Sequence, residues 1–177
     1  MAVDLSPSPA PLGELFSLPL IGFVGIDNDI ADAALVEWDH WLGACNRPFG
    51  RQSFGLMLNG DLVSVAVSAS TVNARCGGYG RTEVVELARL CSHPDHRDLT
   101  RPALRLWSKV AADLWPHWNA IAYVSYADAT RHKGDIYRFD GWRKVADVRG
   151  GSKVNWDRER KVIAPKSVWA FDLLEAA

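Results

Sequence analysis

The chain has 177 residues, 48% of them hydrophobic, with 20 Lys plus Arg against 21 Asp plus Glu; this is the composition of one globular domain and excludes a disordered chain. The net charge of -1 gives no global attraction to nucleic acid or membrane, and no apolar run approaches the ~20 residues that span a bilayer. With no basic leader and three widely spaced cysteines (Cys45, Cys76, Cys91) that fit neither a disulfide framework nor a zinc knuckle, the expectation is a cytoplasmic protein with reduced thiols.

Residues 1–20 hold four of the nine prolines and read as a loosely ordered lead-in to a single domain over 21–177. IGFVGI (21–26) is suited to a strand. Asp27 is placed to cap a helix in which Ile30, Ala34, Trp38, Trp41 and Leu42 recur at helical spacing, and Arg47-Pro48-Phe49-Gly50 ends it. SFGLMLNGDLVSVAVSAS reads as two antiparallel strands about a tight Asn59-Gly60 turn, and the three glycines in 77–80 mark a loop.

TEVVELARLCSH (82–93) reads as a strand apolar enough to be central, closed by Pro94. Thr100 is the expected N-cap of a helix with Pro102 in its first turn and Leu104, Trp107, Ala111 and Leu114 as its apolar stripe; Pro116 stops it. A strand over 119–126, a short helix over about 132–140, a strand over 142–148, a basic loop and a last strand over 167–173 follow. The strand–helix–strand passage through 84–126 implies a parallel pair with a right-handed crossover. The predicted architecture is therefore α/β, a mixed sheet of about six or seven strands flanked by helices.

Charge is unevenly placed. Seven acidic residues precede the first basic one, Arg47, whereas Arg131 to Lys166 holds eleven Lys/Arg against five Asp/Glu. Within that stretch Arg149, Lys153, Trp156, Arg158, Arg160 and Lys161 are candidate nucleic-acid contacts, since cations with an aromatic suit a phosphate backbone and a displaced base. A solvated loop accounts for them equally well. No P-loop, dinucleotide fingerprint, zinc signature or nucleophile elbow is present.

Glu86-Leu87-Ala88-Arg89-Leu90, Ser125-Tyr126-Ala127-Asp128, His132-Lys133-Gly134-Asp135-Ile136-Tyr137, Gly141-Trp142 and His40-Trp41-Leu42-Gly43 resemble the ELxRL, SYAD, HxGxIY, GW and HYLG-like segments of the Mom-like bacteriophage DNA-modification family. That family lies within the GNAT acyltransferase superfamily, whose element order the chain shares. The similarity spans roughly residues 21–148. It implies a GNAT-like fold, acetyl-CoA or another acyl-CoA as donor, DNA as partner, and transfer of a small acyl-derived group to an exocyclic base amine. An acyltransferase acting on a small-molecule or protein amine, and a non-catalytic DNA-binding protein with a degenerate fold, remain as alternatives. The sequence leaves the oligomeric state open, a homodimer included.

Such chemistry needs a proton acceptor for a poorly nucleophilic amine and an acid for the leaving thiolate. Asp128 is the first candidate acceptor, with a turn-capping role as its alternative. Tyr137 is a candidate acid, Ser125 a candidate to polarise a thioester, and His132 a base near neutral pH or a loop contact to phosphate. His40, Glu86, Arg89, Tyr126 and Gly134 are candidate substrate contacts. Glu86 and Arg89, three apart on a strand, fall on opposite faces unless a β-bulge intervenes. The superfamily's glycine-rich pyrophosphate turn is replaced by His96-Arg97-Asp98-Leu99-Thr100-Arg101. Arg97, Thr100 and Arg101, with the helix N-terminus, are the candidate phosphate contacts, and Leu90 and Cys91 complete the candidate cofactor set.

Overall fold

The computed structural model describes residues 19–47, 49–154 and 160–173. Its elements in chain order are β1 (Ile21–Ile26), α1 (Asn28–Glu37), β2 (Arg51–Leu58), β3 (Asp61–Ala69), β4 (Arg75–Cys76), β5 (Tyr79–Gly80), β6 (Val84–Ser92), α2 (Thr100–Val110), β7 (Ala122–Asp128), α3 (Asp135–Phe139), β8 (Arg143–Val148), β9 (Gly151–Val154), β10 (Arg160–Ile163) and β11 (Lys166–Asp172). Seven strands form one mixed sheet in the order β1-β2-β3-β6-β7-β11-β8. Its one parallel pair is β6–β7, and pairing there stops at Leu87↔Ser125 although β6 runs on to Ser92 and β7 to Asp128. The two strands diverge beyond that rung and leave a slot in the middle of the sheet.

The sheet is covered differently on its two faces. On one, Leu104 and Trp107 of α2 and Ala111 just after it pack with Val85, Leu87, Tyr123, Ala127, Tyr137, Trp142 and Trp169. Trp107 is fully buried and still satisfies its indole, which donates to Ser68 Oγ at 2.9 Å; burial of so large a ring stabilises by about 2–3 kcal/mol. On the other face, Ala31, Ala34 and Leu35 of α1 cover Val65, Val67 and Ala69. The β4–β5 hairpin covers the rest, setting Cys76 against Val84, Val124 and Val168.

The expected strands, the Asn59-Gly60 turn (φ 54° and 97°) and the parallel pair are present. Four details differ. Helix α1 ends at Glu37, with Ile30 on its exposed side, because the chain turns out through Asp39 at φ 52° and carries Trp41 and Leu42 away from the helix axis. Thr100 is not an N-cap: a 3₁₀ segment over Pro94–Leu99 runs into α2, and the Thr100 N–H is bonded to Arg97 O. Helix α2 stops at Val110, before Pro116, so Leu114 is left exposed. The glycine loop holds the small β4–β5 hairpin, and the basic loop after β8 holds the antiparallel pair β9–β10. No helix among the described residues is long and apolar enough to cross a membrane.

Candidate active site

A β-bulge fixes the chemistry of the slot. Val67 pairs with Arg89 and Ser68 with Leu87, which leaves Ala88 as an extra residue in β6. The bulge rotates the strand by one position, so Glu86 and Arg89 come to the α1 face while Leu87 and Leu90 share the α2 face. The alternation expected of a regular strand is thus broken where the strands part.

The slot opens into a cavity of about 690 Å³ lined by residues from the turn after α1, from β6, β7 and α3, and from the segment leading into α2. His40, Arg89, Leu90, Arg97, Thr100, Ser125, Tyr126, Asp128, His132, Gly134 and Tyr137 all line it. Residues from positions 40 to 137 converge there.

On the α2 side, Ser125 donates to Leu87 O at 3.1 Å, so its oxygen is free to accept from the Tyr137 hydroxyl 2.9 Å away. Tyr137 is stacked on Trp169 and tilted against Trp142, and burial pushes its phenol up. Gly134 makes this packing possible. It has φ 77°, and a Cβ there would lie 2.2 Å from the Trp169 ring.

Asp128 lines the cavity from the opposite face. Along β7, Tyr123 and Ala127 belong to the α2-side core and Val124 and Tyr126 to the other; alternation puts Asp128 with the latter. Its Oδ1 accepts from Thr130 Oγ1 at 2.6 Å and Thr130 N at 2.9 Å, while Oδ2 has Arg131 Nε at 3.7 Å. The turn-capping role is therefore real and occupies one oxygen, while the other faces Arg131. The Thr130 hydroxyl bond, aided by Arg131, holds the carboxyl below its ordinary range.

Arg89 is clamped by carbonyls, donating to Gly43 O at 3.0 Å, Ala44 O at 3.1 Å and Ala88 O at 2.8 Å. His40 lies close by. Burial, then Arg89, then His132 bring its pKa down to about 4, and its Nδ1 accepts from Leu42 N at 3.3 Å. A neutral His40 thus keeps its proton on Nε2. Tyr126 bonds across to Cys76 Sγ, and burial raises its phenol.

Three expected contacts are elsewhere. Glu86, 2% exposed, lies behind the cavity wall and is paired with Arg47 at 2.5 Å. Burial pushes it up to about 7 against the pull of Arg47, Arg89 and Lys166, and its Oε2 has no hydrogen-bond partner among the described residues. Arg101 is held outside by Asp140 at 2.9 Å and by Phe139 O. Cys91 packs toward the α1-side core, since the bulge turns it from the slot. Arg149 is exposed beyond β8; Lys153, Arg160 and Lys161 belong to β9 and β10, and Trp156 and Arg158 lie outside the described residues.

Sequence reasoning missed Arg47, which no motif marks, and Arg131, whose guanidinium lies 5.4 Å from the Trp41 ring centroid at the cavity edge. It took Trp41 for helix packing. Among the described residues no cluster of three or more His, Cys, Asp or Glu is placed to hold a metal ion.

No protein-family model and no curated protein matches the chain. Solved structures do. The ribosomal-protein-S18-alanine N-acetyltransferase from Escherichia coli is similar with a TM-score of 0.61 at 13% identity, over 87% of this chain and 94% of that one. NAA60 of Arabidopsis thaliana, in complex with a bisubstrate analogue, gives 0.58 at 10% identity over 87% and 99%. The IAA acetyltransferase from Bacillus cereus gives 0.56 at 10% identity over 87% and 100%. With a mixed seven-stranded sheet splayed at its one parallel pair, the chain has the fold of the GNAT acetyltransferases.

Proposed function

We propose that this chain is an acyl-CoA-dependent N-acyltransferase of the Mom type, acting on an exocyclic amine of a DNA base. The observation that carries the reading is convergence. His40, Arg89, Ser125, Tyr126, Asp128, His132, Gly134 and Tyr137, which carry the motif resemblance, line one cavity at the strand splay. An acyl-CoA donor is supported by the fold and by NAA60, a structure of which contains acetyl-CoA. It fits the residues present: the edge of β6 beyond Leu87 that β7 leaves unpaired and the cavity beside it suit an extended acyl-pantetheine arm, and Arg97 at its edge suits phosphate, whereas the N–H and hydroxyl of Thr100 both donate to Arg97 O. A bound donor would supply an activated carbonyl carbon.

The chain's own groups divide the remaining work. Asp128, ionised at neutral pH, orients the amine through Oδ2 and takes its proton as the new C–N bond forms. Neutral His40 offers Nε2–H as a donor beside it. Tyr137 turns its hydroxyl, which rests on Ser125, to give its proton to the sulfur as the C–S bond breaks. The aromatic wall of Trp142 and Trp169 keeps water from the phenol. Such a protein works where acyl-CoA and DNA coexist, in the cytoplasm of a bacterial cell.

A second reading, acylation of a small-molecule or protein amine, is favoured by the fold neighbours, the S18-alanine enzyme among them. Mass spectrometry of nucleosides from cells expressing the protein separates the two. A new nucleoside, lost in Asp128→Ala, is expected. Unaltered DNA with turnover of a free amine would establish the second reading instead.

A further inference from the structure

We infer that Trp41 and Arg131 form the subsite for the acceptor ring: Trp41 is the platform on which a flipped, amine-bearing nucleobase stacks, and Arg131 is the placeholder it displaces. The inference rests on the nucleobase reading for the identity of the ring. Three observations carry it. The first is an aromatic side chain that the core does not use. Trp41 lines the cavity yet joins none of the buried hydrophobic clusters among the described residues. Positive φ angles at Asp39 (52°) and Gly43 (58°) bracket the turn that carries it, and an aspartate adopts such an angle at a cost. Arg89 fastens the same turn by donating to Gly43 O and Ala44 O. An indole set in the wall of a cavity in this way offers a flat apolar face to what enters.

The second is what covers that face. The Arg131 guanidinium stands over the Trp41 ring, 5.4 Å from its centroid, and Arg131 Nε is 3.7 Å from Asp128 Oδ2. One planar N–H group thus lies between the indole and the carboxylate. An aminated heterocycle has the same two features, a flat face and an N–H edge, and in that place its exocyclic amine would meet Asp128. The ion pair is too long for a hydrogen bond, and the Arg131 side chain is 58% exposed, so displacing it from Asp128 costs little. Once displaced, its charge is available to a phosphate.

The third is charge. Arg89, Arg97, Arg131 and Lys133 line the cavity against Asp128 and Asp135. This excess of cations repels an aliphatic ammonium, the form a lysine-like amine takes at neutral pH, and attracts a phosphodiester that carries a neutral base. The site therefore suits a flat neutral ring on a chain of phosphates better than a charged alkyl amine. A base out of its stack is held in this manner, by an aromatic face and by hydrogen bonds to its edge.

The test is fluorescence anisotropy of the full chain with labelled six-residue DNA strands. Each carries a single adenine, cytosine, guanine or thymine among abasic positions, and a fully abasic strand supplies the phosphate contribution alone. Wild type is expected to bind at least one amine-bearing strand about tenfold more tightly than the thymine and abasic strands. Trp41→Leu, which keeps apolar volume without a π face, should bring that strand down to the abasic level, while Trp41→Phe should keep most of the margin. Both should melt as wild type does, since Trp41 lies outside the core clusters. Arg131→Ala should keep the base margin and make the log–log salt slope shallower by about 0.7. An undiminished margin in Trp41→Leu, a thymine strand bound as tightly as the others, or no strand bound better than the abasic one would overturn the subsite. A new nucleoside in cells expressing Trp41→Leu at wild-type levels would sink the platform but not the acyltransferase reading; Trp41-dependent base binding with unaltered DNA in cells expressing wild type would do the reverse.

Discussion

The two walls of the cavity are built from opposite materials. The α2-side wall is aromatic: Tyr137 rests on Trp169 and Trp142, and its polar atoms are spent on one short chain from Tyr137 through Ser125 to Leu87 O. The α1-side wall is ionic: Arg89, His40 and Asp128 face the cavity, and the Arg47–Glu86 pair lies behind it. A dry aromatic wall holds a phenol protonated and aimed, as an acid requires. On the ionic wall the Thr130 hydroxyl, aided by Arg131, keeps the Asp128 carboxylate charged, and burial, aided by Arg89, keeps His40 neutral. In the proposed reaction the same slot keeps the acid, Tyr137, on one side and the base, Asp128, on the other.

Breaking the aromatic wall should have the largest effect. Gly134→Ala adds a Cβ into Trp169 at a backbone angle that L residues resist, and should cost about 3 kcal/mol of stability, seen as a large fall in melting temperature. Tyr137→Phe removes only the hydroxyl and leaves the ring stacking. It should reduce transfer about 100-fold or more with an unchanged melting temperature; full activity would remove Tyr137 from the chemistry.

The ionic wall should respond to pH. Burial raises Glu86 to about 7 in the folded protein, so the native state holds a proton that the unfolded chain releases near 4.5. Its contribution is therefore fully present below about 4.5 and lost as pH rises through 7. Relative to Glu86→Gln, wild type should lose stability over that window, by at most about 1.4 kcal/mol per pH unit. A gap that stays flat with pH would show that the Arg47 pair cancels the desolvation. The smallest effect belongs to His40. Its imidazole NMR signals should titrate near 4, and an ordinary value would show the wall to be wetter than its burial implies.

Much of the sheet was legible in the sequence because strand signals are local: the Asn59-Gly60 turn, the apolar run of β6 and the Pro94 break each carry their own physics. The motif residues also marked the cavity, with eight of the nine catalytic and substrate candidates lining it and Glu86 behind it. What stayed hidden depended on tertiary context. The bulge at Ala88 leaves no trace in residue types, yet it decides that Glu86 and Arg89 share a face and that Cys91 leaves the slot. Arg101 reads as a phosphate ligand until Asp140, 39 residues away, is seen to hold it. Trp41 fits a helical spacing that the turn at Asp39 cuts short.

The central claim is that the acyl donor enters between β6 and β7 with its sulfur against Tyr137. A crystal structure of the protein with a thioether analogue of acetyl-CoA tests it most directly. The account predicts the sulfur about 3.5 Å from Tyr137 Oη, with the pantetheine arm along β6 beyond Leu87. An arm bound elsewhere, with the slot between Leu87 and Ser125 closed, would contradict it.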